Sequence, residues 1–246
     1  MSVRVREGYV RLAILILTVP VASLLCSTST MAQTSPAADV LVVVDSSGSM
    51  DEEVAAVQAS LNDFAAGIQN AAVDLHLILI GTEICIPAPL GSGMCPDDET
   101  LPLFRHVQET ISSNDALSKI ISTYSQWSGS LRNHARAFLI VVSDDDSDMS
   151  AATFQTQFIA LNPTFSNYVF HGMVQGAPAC GGVTGEVYLD LIAMTDGLLS
   201  NLCVEPIDMG LIRIADAIIE GAGPNSLITT GPGVGGASRA RRYDGD

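Results

Sequence analysis

Asp45, Ser47 and Ser49 occupy every second position of the turn Asp45-Ser46-Ser47-Gly48-Ser49-Met50. A carboxylate and two hydroxyls are hard oxygen donors, a set that suits Mg²⁺ or Mn²⁺ and suits zinc poorly. A second concentration of oxygen lies at Asp144, Asp145, Asp146 and Asp148, directly after Ser143. Carboxylates this close repel one another when unpaired, so a bound cation would stabilise the turn. Each feature also has a plainer reading. Ser49 and Glu52 have the Ser-x-x-Glu spacing of a capping box, and Asp51, Glu52 and Glu53 suit a helix N-terminus electrostatically. The aspartate run equally reads as a solvated loop ahead of a helix from Ser150. An EF-hand loop starting at Asp144 fails, because its sixth position is Met149 and its twelfth Gln155, where Gly and Glu are required. A second, weaker Ca²⁺ beside Asp145 or Asp146 stays open.

Elements that could position these groups are legible in the pattern. Residues 40–44 are a continuous, mostly β-branched apolar run, the signature of a strand buried on both faces of a parallel sheet. From Asp51 to Asn70, Val54, Val57, Leu61, Phe64 and Ile68 recur at three- and four-residue steps and predict a helix with one apolar face. Strands are expected at 74–81, 104–107, 137–142, 168–174 and 198–203. Helices are expected from 115 (with Leu117, Ile120, Ile121 and Tyr124 inward), at 151–161 before Pro163, at 186–196 before Gly197, and at 207–219. His76 and His106 fall on strands without a partner motif and read as structural. Alternating strands and helices require an α/β fold, a doubly wound, mostly parallel sheet with helices on both faces. Asp45 and Asp144 then sit at the carboxyl ends of neighbouring strands, where open α/β sheets place their ligand sites.

Asp45-Ser46-Ser47-Gly48-Ser49 behind an apolar strand resembles the Asp-x-Ser-x-Ser motif of von Willebrand factor type A domains, which carry a metal-ion-dependent adhesion site. Ser113-Asn114 is similar to a Thr-Asn turn whose hydroxyl joins that site, with Ser in place of Thr; Ser112 or Ser113 as a helix cap is the other reading. Ser143-Asp144 is similar to a Thr-Asp-Gly turn, from which Asp145 departs. Tyr188-x-x-Leu191-x-x-x-Thr195-x-Gly197, before a strand, looks like the closing segment of the family's domains. The resemblance covers residues 39–222 and implies a metal site of Asp45, Ser47, Ser49, Ser113 and Asp144. The three serines are expected to coordinate directly, the aspartates directly or through water. Mg²⁺ is the ion first expected, with Mn²⁺ or Ca²⁺ as alternatives. The implied partner is a protein or extracellular ligand whose carboxylate takes the open position. A binding module, and no enzyme, is therefore expected: neither a Gly-x-Ser-x-Gly elbow nor a His-Glu-x-x-His helix is present. The competing readings are a metal-dependent hydrolase using Asp145 or Asp146, and a domain whose ion is purely structural.

At 246 residues the chain has room for one ordinary domain and terminal segments. Residues 1–32 read as a secretory signal, with Arg4, Arg6 and Arg11, an apolar stretch at 12–25 and Thr30-Met31-Ala32 before cleavage. That stretch falls short of the roughly 20 residues of a membrane span. No stable span is therefore expected once the signal is removed. Loss of the signal takes away three arginines and Glu7, so the formal charge of −16 becomes −18. Such acidity argues against nucleic acid as a partner and suits cations and basic partners. Cys26 leaves too, and Cys85, Cys95, Cys180 and Cys203 remain. In a secreted or periplasmic chain four cysteines imply two disulfides. Three connectivities are open; pairing of sequence neighbours, Cys85 with Cys95 and Cys180 with Cys203, is the simplest. Residues 33–38 read as a linker. Residues 223–246, rich in Gly and carrying Arg239, Arg241 and Arg242, read as a disordered tail.

Overall fold

A computed structural model describes residues 35–223. The expected signal, most of the tail and Gln33 and Thr34 of the linker lie outside the described residues. The elements in chain order are β1 (Ala37–Val44), α1 (Asp51–Asn70), β2 (Asp74–Gly81), β3 (Phe104–Gln108), α2 (Ala116–Ser122) and α3 (Tyr124–Trp127). They continue as β4 (Arg136–Ser143), α4 (Ala151–Leu161), β5 (Val169–Val174), α5 (Glu186–Met194), β6 (Leu199–Asn201) and α6 (Ile207–Ala222). All strand pairs are parallel, in the order β3-β2-β1-β4-β5-β6. The fold is doubly wound α/β. From central β1 the chain moves first to one edge, then returns to β4 and proceeds to the other, so the switch point lies between β1 and β4.

Each strand's alternation splits the core in two. Val40, Val42, Val44, Leu77 and Ile140 face the layer of α1 and α6, while Leu41, Val43, Ile78, Leu139 and Val141 face α2, α4 and α5. Both faces are fully covered, which is why β1 has no polar alternation to read. β1 begins two residues inside the expected linker, because Ala37 and Ala38 already pair with Asp74 and Leu75 and are buried.

Several boundaries differ from expectation by one to three residues, and three of them have a clear local cause. The helix after Asp115 breaks at Thr123, whose hydroxyl donates to the Lys119 carbonyl and accepts from Trp127 Nε1. β6 stops at Asn201 because that side chain takes the Gly176 and Cys203 amides and turns the chain. The helix expected to reach 196 ends at Met194, where the Thr195 hydroxyl turns back to the Leu191 carbonyl.

His76 and His106 are structural as read: His76 Nδ1 lies 2.7 Å from the Ser130 carbonyl, and His106 is buried with Nδ1 2.6 Å from Asp98. His171 on β5 was not singled out by the sequence. Its Nδ1 accepts the Leu198 amide at 3.0 Å, so the ring carries its proton on Nε2, which is buried without a hydrogen-bond partner. Burial, reinforced by the charge of Arg136, lowers its pKa from 6.5 to about 4. The unfolded chain therefore takes up a proton as pH falls through 6.5, whereas the folded chain does not until about 4. Stability should fall by about 3 kcal/mol across that window and level off below it. His171→Gln keeps an acceptor and does not titrate, so its denaturation midpoints should lose this slope. Parallel wild-type and variant profiles would rule His171 out as the source.

Candidate metal centre

The end of β1 builds the site. Asp45 N donates to the Val142 carbonyl at 3.0 Å, which keeps the chain against β4 one residue beyond the strand. Ser46 then turns away. Its amide and hydroxyl both donate to the Ile111 carbonyl at 3.0 Å, and its Oγ accepts from the Ile111 amide and from Thr82 Oγ1, each at 3.3 Å. Ser46 thus fastens the motif to the turns after β2 and β3. Asp45 is fully buried beneath the motif. Its Oδ1 accepts the Ser47 amide at 2.8 Å and its Oδ2 the Ser143 hydroxyl at 2.8 Å.

The capping box that the Ser49–Glu52 spacing allows does not form. A single 3₁₀ turn, Gly48–Met50, precedes α1, and the buried Met50 takes the cap position with no side-chain cap bond. Ser49 is displaced by one position from where it could cap. Its hydroxyl instead donates to Asp144 Oδ1 at 3.2 Å, and Ser47 Oγ lies 3.2 Å from Ser49 Oγ. Ser47, Ser49 and Asp144 therefore form a short row of oxygens over the buried Asp45.

Asp144 is half-buried at the end of β4. Burial pushes its pKa up; the Ser49 hydroxyl pulls it back, and the Asp145 and Asp45 carboxylates push it up further. A positive charge at the row would offset both the lost solvation and the repulsion. The donor set fits a small hard cation on spacing as well. Oxygens in adjacent positions of a Mg²⁺ octahedron lie roughly 2.9 Å apart, close to the 3.2 Å separations here.

Ser113 makes no hydrogen bond to the row, although its turn is fastened to the neighbouring turns. Ser46 holds Ile111, Asn114 Nδ2 donates to the Asp146 carbonyl at 2.7 Å, and Asp148 N donates to the Asn114 carbonyl at 2.9 Å. The 111–115 and 144–148 turns are thereby laced together. Among the described residues the Ser113 hydroxyl makes no hydrogen bond, and neither Ser112 nor Ser113 caps α2. The cap position belongs to Asp115, whose carboxylate reaches back to the Ser112 amide at 2.8 Å.

The aspartate run divides into separate tasks. Asp146 Oδ1 accepts the Val187 amide at 2.9 Å in the first turn of α5, a helix-terminal role. The Asp145 carboxylate makes no hydrogen bond among the described residues. Ser46, Ser143 and Asn114 were missed as supports. Only Ser143, a hydroxyl closing an apolar strand beside an acidic turn, left a readable trace.

Cys85 pairs with Cys95 and Cys180 with Cys203, with Cα separations of 5.7 and 5.5 Å. Cys85, Cys95 and Asp98 also bring potential ligand atoms together. Their sulfurs are bonded to each other, and Asp98 is committed to the Ile86 amide and His106, so this cluster is a loop staple. Among the described residues no helix is long and apolar enough to cross a membrane. Compared with protein-family models and with curated proteins, the chain matches none.

Proposed function

We propose that this chain is an exported von Willebrand factor type A-like binding module that recognises a protein or extracellular ligand through a divalent cation. The observation that carries the reading is the Ser49 hydroxyl, which turns to Asp144, just past the end of β4, instead of capping its own helix. Mere capping would leave Ser47, Asp45 and Asp144 without a common purpose. Ser47, Ser49 and Asp144 would hold the ion, while Asp45 orients Ser47 and supplies charge from below. Ser113, on the turn that Asn114 ties to the Asp146 carbonyl, would be the further ligand. A cation bound there would supply a positive charge with a coordination position left to an incoming carboxylate. Two disulfides suit an oxidising compartment and so accord with export.

The hydrolytic alternative has one of its two candidate groups, Asp146, engaged through Oδ1 by α5. Calorimetric titration of Mg²⁺, Mn²⁺ and Ca²⁺ into the chelator-stripped chain tests the proposal. Saturable binding of one ion per chain is expected, tightened by an acidic peptide and not by its amidated form. Absence of binding at millimolar ion, with or without the peptide, would reduce the motif to a loop-packing device.

A further inference from the structure

The Asp144 turn is held by β1, by the 111–115 turn and α5 further along, and at Asp144 itself by a loop that has almost no hydrophobic anchor. Residues 176–185 are Gly, Ala and Pro for the most part, and the loop's one large apolar residue, Val183, is exposed. Yet this loop lies directly on the ligand-bearing turn. The Val183 amide donates to the Asp144 carbonyl at 3.0 Å. At Gly182 the approach is so close that a Cβ would run into that same carbonyl oxygen and crowd Gln175 Nε2.

What fixes the loop is polar and covalent. Gln175, buried at the end of β5, accepts the Cys180 amide at 2.9 Å and the Gly182 amide at 3.2 Å on its Oε1. Asn201 accepts the Gly176 amide at 3.1 Å and the Cys203 amide at 3.0 Å. The Cys180–Cys203 disulfide then ties the loop to the turn after β6. These part-buried hydrogen bonds contribute about 1 kcal/mol each, and the covalent link adds to them by confining the loop.

We infer that the Cys180–Cys203 loop is a positioning clamp for Asp144, which makes cation binding at the site depend on the state of that disulfide. The inference rests on the reading of Asp144 as a metal ligand given above. Small hard cations tolerate little displacement of their oxygens, so a ligand set loosened by even an ångström binds weakly. Cys180 is exposed and open to reductants. Reduction by a dithiol breaks the S–S bond: two electrons and two protons pass to the cysteine sulfurs as the dithiol closes to its own disulfide. The freed loop then releases the Asp144 carbonyl.

The Cys85–Cys95 staple provides the control, because its loop packs on α1 through Asn62 and Gln58 and makes no hydrogen bond to Asp144. Mg²⁺ and Mn²⁺ affinities are measured by calorimetry for the full chain, for C180S/C203S, for C85S/C95S and for G182A with both disulfides intact. Far-UV circular dichroism confirms that each is folded. The clamp predicts roughly 10–100-fold weaker binding in C180S/C203S and in G182A, the range for lost outer supports of a metal site. It predicts near wild-type binding in C85S/C95S. G182A keeps the argument testable if the cysteine variant fails to fold. Wild-type affinity in G182A, or equal losses in the two cysteine variants, would overturn the clamp while leaving the metal site standing. A wild-type chain that binds no cation would overturn both.

Discussion

Asp45→Ala is expected to lower Mg²⁺ or Mn²⁺ affinity by about 100-fold, the upper range for losing an oriented support of a metal ligand. Asp45 is the one site residue that is fully buried, and both of its oxygens are engaged, by the Ser47 amide and the Ser143 hydroxyl. Its removal therefore has two consequences. A negative charge beneath the row disappears, and Ser47 loses the bond that fixes its turn. Asp45→Asn separates them, since it retains an acceptor and gives up the charge; its affinity should fall between the two. Asp145→Ala is the contrasting variant. That carboxylate makes no hydrogen bond among the described residues, and its loss relieves repulsion on Asp144, so binding should weaken little. Calorimetry at constant ionic strength checks the series, because screening alters long-range charge effects. Wild-type affinity in Asp45→Ala would leave the alternation of Asp45, Ser47 and Ser49 without chemical meaning.

The fold was largely legible because its signals were redundant. An unbroken apolar run at 40–44, the helical stripe from Val54 to Ile68 and the second run at 137–142 each admit one interpretation in an alternating chain. The paired carboxylates followed from topology alone, since the ends of two neighbouring parallel strands are close however far apart they are in sequence. What sequence could not separate was the destination of a hydroxyl. Ser49 satisfies the spacing of a capping box, and only the 3₁₀ turn at Gly48–Met50 shows that its bond goes to Asp144. Ser112 and Ser113 were ambiguous in the same way, and there Asp115 closed the turn instead. The cysteine pairing was the simplest of three and is the one observed. Supports such as Ser46, Gln175 and Asn201 left no pattern, because they bond to backbone groups whose position depends on the tertiary structure.

At the opposite end of β1 from the site, Arg132→Met is expected to cost roughly 3–5 kcal/mol of stability, the range for breaking a buried ion pair by removing one partner. Asp39 is buried, and Arg132 meets it with Nε on Oδ1 at 2.8 Å and with its amide on Oδ2 at 2.7 Å. Burial pushes the Asp39 carboxyl up in pKa, and Arg132 pulls it back. The same guanidinium donates to the carbonyls of Ala38 and Asp74 at 2.8 and 3.0 Å and pairs with the Asp74 carboxylate, so it joins the starts of β1 and β2 to the chain entering β4. Methionine fills part of the volume and leaves a buried carboxylate facing a single amide. Adding Asp39→Asn removes the orphaned charge, so the double variant should recover much of the loss, as measured by denaturant midpoints. Cation affinity should not follow stability. Six residue steps, about 20 Å, separate Asp39 from Asp45, and the site is held by bonds among the turns around it. A folded Arg132→Met chain that lost cation affinity in step with its stability would mean that global packing, and not the hydrogen bonds among the 45–49, 111–115 and 144–148 turns, sets the geometry of the oxygens.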